Sequence, residues 1–327
     1  MQTGKLTDQK LNELVLARLP VCSAKVTEGP GTGLDCGIIH TDGNMLAVSS
    51  DPVTGAGKNI GRIAINVSCN DIASSGIKPT AVNIVIIVPE NSSEKEIIDI
   101  VDDIARTSGE LGVDVVGGHT EVSSAVNKPI VITTAFGFGR KDSIVYSYGA
   151  KPGDSIMMTK YAAIEGTAII ASDRREELSG VLSEDDLDEA SGLTKYLSVL
   201  AEGLICGKTG KVNAMHDATE GGVLGAVREL AEAAGIGCLV DISNIKMYPQ
   251  TGIICDHFKI DPFRLISSGS MIISTSEPDQ VKSALNNGGI ECTIIGRMID
   301  KGFHFTGFDG KIHELAASGP DELYKIL

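Results

Sequence analysis

Residues 216–222 read His-Asp-Ala-Thr-Glu-Gly-Gly, and Val223, Leu224, Val227, Leu230 and Ala231 follow at helical spacing. The stretch is read as the opening of an amphipathic helix over about 219–234, with Thr219 as a natural N-cap. The N-terminus of such a helix leaves backbone N–H groups unpaired, and these can hold a phosphate. A plain capped helix with no ligand accounts for the same residues. The meaning of the stretch therefore depends on what else in the chain could meet it.

Asp217 has three candidate companions at loop–element junctions. Asp35 ends the Gly-rich loop Gly29-Pro30-Gly31-Thr32-Gly33-Leu34-Asp35. Asp51 follows Ser50 at the end of an expected strand, and Asp71 follows Asn70 in Cys69-Asn70-Asp71-Ile72-Ala73. Taken one at a time, each reads as a turn or cap residue. Carboxylates on separate loops can also converge on a hard cation such as Mg²⁺, which takes oxygen ligands and shares them with substrate phosphates. Asn70-Asp71 stands out because it interrupts an apolar helical run over 58–75, with Ile60, Ile63, Ala64 and Val67 on one face. A carboxylate in that setting needs a partner or a metal. Gly117-Gly118-His119-Thr120 follows an expected strand at 113–117. Two glycines let a backbone approach a ligand, and His and Thr supply donors; a strand-to-loop turn with a surface histidine reads the same way.

The remaining pattern predicts a helix at 7–19 and strands at 36–40, 45–51, 80–88 and 129–138. A helix at 93–109 opens on a Ser93-x-x-Glu96 capping pattern. Lys151-Pro152-Gly153-Asp154 reads as a junction, dividing the chain into 1–150 and 151–327. Beyond it come a strand, helices near 163–173, 184–206 and 219–234, and strands near 237–241, 270–274 and 291–298. Ser183-Glu184-Asp185-Asp186 reads as a solvated helix start. Strands and helices do not alternate strictly, so the fold class is α/β (α+β) rather than a doubly wound sheet. No Walker loop and no strand–GxGxxG–helix unit occurs, and Gly55-Ala56-Gly57-Lys58 lacks the hydroxyl after its lysine.

The 327 residues carry 28 basic and 43 acidic side chains, a net charge of −15. Such a chain is a poor match for nucleic acid, and it has no polybasic stretch for a membrane surface. Phosphates would have to be bound through metal ions, backbone N–H groups and a few local cations. The seven cysteines are odd in number and form no Cys-x-x-Cys. With a polar N-terminus and no apolar stretch of spanning length, the expected compartment is the cytoplasm.

Together and in this order, the Asp35 loop, Ser50-Asp51, Asn70-Asp71-Ile72-Ala73, Gly117-Gly118-His119-Thr120 and His216–Gly222 resemble the aminoimidazole ribonucleotide (AIR) synthase superfamily, with the PurM-like fold. The resemblance runs from about residue 25 to the end and is nearest to the HypE group of hydrogenase maturation proteins. It implies an N-terminal α/β domain whose sheet pairs with a second subunit to close a β-barrel, and a C-terminal α/β sandwich. It implies ATP and Mg²⁺ in the cleft between them, with Asp35, Asp51, Asp71 and Asp217 at the metal. Gly31, Gly33, Asn70, Gly117, Gly118, Thr120 and Thr219 are implied at the nucleotide, and Asp71, Asp217 and His119 as catalytic groups. It further implies a homodimer, activation of a small amide-like or carbamoyl substrate by phosphorylation, and a partner in hydrogenase maturation. The HypE group carries its reactive thiol on a terminal cysteine. Here Asp321–Leu327 contains none, and Cys292 lies 35 residues before Leu327. His119 stands where HypE has an acid and matches the Gly-Gly-His of selenophosphate synthetase. The Cys-x-x-Lys spacing of Cys22 and Lys25 reads as coincidence. A non-catalytic nucleotide sensor is the alternative class of function.

Overall fold

The computed structural model describes residues 6–19, 23–54, 56, 58–317 and 319–326. Cys22, Gly55 and Gly57 lie outside the described residues, and with them the two short motifs that contain them. Six strands form the first sheet: β1 (Val26–Glu28), β2 (Gly37–His40), β3 (Met45–Val53), β4 (Pro79–Val88), β5 (Asp114–Val122) and β6 (Ile130–Gly139). Their order is β1-β2-β3-β6-β4-β5, and only the β4–β5 pair is parallel. The second sheet holds β7 (Ser155–Thr159), β8 (Ala214–Asp217), β9 (Gly237–Asp241), β10 (Met271–Thr275), β11 (Cys292–Ile299), β12 (Phe303–Thr306) and β13 (Ile312–Glu314). Its order is β13-β12-β9-β11-β7-β10-β8. The sheets therefore part between Gly139 and Ser155.

Strand β4 alternates buried and half-buried residues along Ala81–Val88, as the period of two requires for a sheet with one covered face. The covering elements are the helices Ile60–Ser74 and Glu94–Leu111. Ser93 caps the second of these by accepting from the Glu96 N–H, as the sequence predicts. The helix Ile60–Ser74 is buried on nearly all sides, because it packs on β3 and β6 and also meets Leu200–Thr209 and β8 of the second half. At that crossing a Cβ on Gly203 would lie 2.1 Å from the Ala73 carbonyl oxygen, so only glycine lets the two backbones meet. Asn70 joins the halves from the same helix. Its carboxamide donates to the Leu197 carbonyl at 2.8 Å and accepts from the Val199 N–H at 2.9 Å.

Three expectations need correction. The run 184–206 is not one helix but Glu184–Ser191, a 3-10 turn at Gly192–Tyr196, and Leu200–Thr209. Gly117-Gly118-His119-Thr120 is not a loop after a strand; it lies inside β5, which continues to Val122. Thr219 is not the N-cap. His216 and Asp217 end β8, and the helix starts later, at Gly222, behind Gly221 at φ 85°. The short strands β1, β8, β12 and β13 and the helices Pro249–Phe258 and Pro278–Asn287 carry too little periodic signal to stand out in the sequence.

Candidate functional site

A cleft of about 750 Å³ opens between the two halves, lined by Gly31, Gly33, Asp35, Asp51, Asp71, Asp217 and Thr219 among others. Each acid arrives on a different element. Asp35 sits on the loop before β2, and Asp51 on β3. Asp71 projects from the buried helix, and Asp217 ends β8. Ser49 and Asp51 share a face of β3 at spacing two, and the Ser49 hydroxyl donates to Asp71 and, at 3.3 Å, to Asp51. Gly33 has φ 70°, and a Cβ there would lie 2.5 Å from the Glu229 carbonyl oxygen. The glycine thus lets the Asp35 loop lie directly against the helix Gly222–Ala233.

The charges in this cluster do not cancel. His216 is buried between two carboxylates: its Nδ1 pairs with Asp35 and its Nε2 with Glu229 at 3.0 Å. Burial alone would pull the imidazole down, but Asp35 and Glu229 together hold it well above its usual range. One imidazolium therefore faces five acids. Burial, then the charges of Asp51 and Asp217, push Asp71 well above the ordinary carboxylate range. Burial and the Asp35 charge push Asp217 up to about 7, against the lowering pull of His216. A hydrogen bond with the Asp71 carboxyl also lowers Asp217. Oxygens of Asp35 and Asp217 and a nitrogen of His216 lie within 4.8 Å of one another.

A buried surplus of carboxylate oxygens suits a hard cation, and the donor set fits Mg²⁺ by its chemistry. Asp35, Asp51, Asp71 and Asp217 are the residues that would hold it. Both His216 nitrogens already face carboxylates, which makes His216 a positioning group for Asp35 rather than a ligand.

The other sequence candidates divide between the cleft and the surface or core. Asn70 does not line the cleft; its amide is spent on the Leu197 and Val199 backbone. Gly117, Gly118, His119 and Thr120 are exposed on β5 and do not line it either, and His119 pairs with Glu121 at 3.2 Å. Thr219 lines the cleft, and its carbonyl accepts from the Gly222 and Ser267 N–H groups. Among the lining residues that the sequence does not single out are Ser49, Glu165, Glu229, Ser268 and Tyr324. For Glu165 and Glu229 a signal exists, namely an acid inside an apolar helical run, the same signal that marks Asp71.

Residues 33–138 match the N-terminal domain of AIR synthase related proteins, and residues 151–307 match the C-terminal domain. The chain belongs to the AIR synthase related family. It is 28% identical over 292 residues to the carbamoyl dehydratase HypE of Escherichia coli, a match covering 85% of this chain and 83% of that protein. The crystal structure of E. coli HypE, a hydrogenase maturation protein, superposes with a TM-score of 0.74 at 25% identity, over 86% of this chain and 88% of that one. A HypE structure in complex with ATP superposes with a TM-score of 0.72 at 20% identity, over 97% and 94%, and shares the fold. The chain is thus a HypE-like member of the family with the PurM-like two-domain fold. No helix among the described residues is long and apolar enough to cross a membrane.

Proposed function

We propose that this protein binds ATP with Mg²⁺ in the interdomain cleft and activates a small amide-like or carbamoyl substrate by phosphorylation. The observation that carries this reading is the convergence of Asp35, Asp51, Asp71 and Asp217 from four elements and both halves of the chain on one cleft. A carboxylate cluster of this kind needs cations, and cations bring a polyphosphate into a chain whose net charge is −15. Bound there, Mg²⁺ supplies Lewis-acid stabilisation of the transferring phosphoryl group. The chain's own part is positional. Asp71 is held by Ser49, and Asp35 is held by His216, which Glu229 holds in turn. The substrate oxygen takes the terminal phosphoryl group and ADP leaves. Carbamoyl dehydration in hydrogenase maturation, with a maturation partner, is the second reading, favoured by the similarity to E. coli carbamoyl dehydratase HypE. We place the protein in the cytoplasm, where the six described cysteines, all buried free thiols, would stay reduced.

The test is calorimetric titration of ATP with and without Mg²⁺, with product analysis of the same mixture. Metal-dependent binding and release of ADP with an amide or carbamoyl substrate are expected. Binding without turnover across such substrates would favour a sensor, and no binding at all would remove the reading.

The same proposal includes a homodimer formed along β5. All nine residues of this edge strand are exposed, Val115, Val116 and Val122 among them, and a bare apolar edge is a surface that proteins ordinarily cover. Paired through β5, two copies would bring Gly117, Gly118, His119 and Thr120 against a second chain. Val116→Lys is expected to convert the dimer to monomer in sedimentation measurements. A wild-type protein that already sediments as a monomer defeats the assignment.

A further inference from the structure

Four non-glycine residues among those described have a left-handed backbone, and two of them share one turn: Lys160 at φ 51° and Ala163 at φ 58°. A residue with a Cβ is strained there, and the strain persists only where the surroundings hold it. The turn leads from β7 into the helix Ile164–Asp173, whose Glu165 and Ile169 line the cleft. Its backbone is tied on several sides. The Lys160 N–H donates to the Glu291 carbonyl at 2.9 Å, the Ala162 N–H to the Lys246 carbonyl at 2.8 Å, and the Ala163 N–H to the Ser267 hydroxyl at 2.8 Å. The Lys160 ammonium turns inward, donating to the Ser198 carbonyl at 2.6 Å and pairing at 2.6 Å with Glu202, which is 2% exposed.

Ser198 lies between the two residues that Asn70 holds from the first half, Leu197 through its carbonyl and Val199 through its N–H. Three consecutive residues are thus gripped from both halves of the chain, by Lys160 and by Asn70. Asn70 directly precedes Asp71, and Glu202 directly precedes Gly203, which meets the same helix at Ala73. The clasp therefore joins the turn before Ile164–Asp173 to the helix that carries Asp71. Stability alone does not call for such a pair, because a buried ion pair replaced by apolar residues of similar volume often leaves a fold as stable or more so. Backbone conformation does not call for it either, because glycine would adopt φ 51° at position 160 without strain. A lysine that neither need explains points to a use in the geometry of the cleft.

We infer that Lys160 is a positioning residue, which fixes Asp71 of the first half against Asp217 of the second by way of the Leu197–Val199 segment and Asn70. Lys160 does not itself line the cleft. The inference deepens the proposed function by naming a residue that sets the geometry of the metal site without touching it, and it rests on that reading for its role. Asp71 and Asp217 reach the cleft from different halves, so slack between the halves is slack between two ligands. Groups that orient metal ligands from outside change affinity by about 10–100-fold when lost.

The experiment compares the full chain with Lys160→Arg and with the paired variant Lys160→Met/Glu202→Met. The paired variant avoids the buried unpaired carboxylate that Lys160→Met alone would leave. Three quantities are read on each protein: the melting midpoint in chelator, Mn²⁺ affinity by electron paramagnetic resonance without nucleotide, and hydrogen exchange of the Val199 amide without metal. The paired variant is expected to melt at or above the wild-type midpoint, to bind Mn²⁺ about tenfold more weakly, and to exchange the Val199 proton about tenfold faster through local opening. Lys160→Arg keeps the charge and the donors and is expected to stay within a few-fold of wild type in both. Unchanged Mn²⁺ affinity or unchanged Val199 exchange in the paired variant overturns the proposal, as does a loss in Lys160→Arg equal to that of the paired variant. A paired variant that melts many degrees lower makes Lys160 a structural residue and ends the proposal as well. Val199 exchange needs neither metal nor nucleotide. A wild-type protein that binds no Mn²⁺ therefore counts against the proposed function, and the exchange rates then decide the clasp by themselves.

Discussion

Replacing Asp71 by Asn is expected to abolish the proposed magnesium-dependent nucleotide binding and to make the ligand-free protein harder to melt. The two effects share one cause. Asp71 is 8% exposed, bonded to Ser49, and pushed well above the ordinary carboxylate range by burial and by the Asp51 and Asp217 charges. Without a cation, a charged carboxylate there is a cost, and Asn has nearly its shape with no charge and still accepts from Ser49. Removing an uncompensated buried charge of this kind stabilises by about 1–3 kcal/mol, enough to raise the melting midpoint by a few degrees in a chain of this size. The loss of binding is larger. Residues that merely orient a metal ligand cost about 10–100-fold in affinity when mutated, so a ligand that is itself removed costs at least the upper end of that range. Calorimetry with ATP and Mg²⁺ and a melting curve without them measure both signs on one preparation. Wild-type affinity in Asp71→Asn removes this residue from the metal site. A lower midpoint means that the charge serves the fold rather than the ligand.

Asp71 also shows why part of this site is legible in sequence. A carboxylate between Cys69 and Ile72 in an apolar helical run breaks the pattern that burial imposes, and the fold keeps it buried at the cleft. Glu165, in Ala162-Ala163-Ile164-Glu165-Gly166, and Glu229, beside Leu230, break it in the same way, and both line the cleft. By contrast, Asn70 breaks the pattern for a different reason: its amide ties Leu197 and Val199 across the two halves. Spacing along one helix does not reveal a partner 127 residues away. The β5 motif is illegible for a related reason. Glycines followed by polar residues read as a turn, yet the strand continues through them, because its pairing with β4 extends from Asp114 to Val122. Thr219 looked like a cap from its neighbours, but the chain needs His216 and Asp217 in β8, paired with Ile272 and Met271, before the helix can start. Long amphipathic elements such as Glu94–Leu111 and the buried strand β4 are read correctly because their own periodicity suffices. Elements of three or four residues are fixed only by their partners.

The ligand-free protein is expected to be most stable in mildly acidic solution and to lose stability as the pH rises from about 5 to about 8, and Mg²⁺, if it binds as proposed, is expected to restore what is lost. Burial raises the carboxyls of Glu28, Glu165 and Asp217 to about 7 and that of Asp321 to about 6, from ordinary values of 4.5 for Glu and 3.8 for Asp. The folded state therefore keeps protons that the unfolded chain releases above about pH 4–5. Their contribution is full below the unfolded values and declines as the pH climbs through 6 and 7. His216, held well above 6.5 by Asp35 and Glu229, acts in the same direction at the upper end, since the folded state keeps its proton after the unfolded chain has lost it. Each unit of separation corresponds to about 1.4 kcal/mol, so the sum is large against an ordinary net stability of about 5–15 kcal/mol. Mg²⁺ favours the charged form of Asp71 and Asp217, the form that protons oppose. Its stabilisation is thus small near pH 5 and grows toward pH 8. Asp217→Asn should flatten both the pH slope of the ligand-free protein and the pH dependence of the Mg²⁺ effect. Glu165→Gln should flatten only the first. Melting curves at three pH values, in chelator and in Mg²⁺, separate these outcomes. A Mg²⁺ effect that is equal at every pH, or undiminished in Asp217→Asn, places the cation away from these carboxylates.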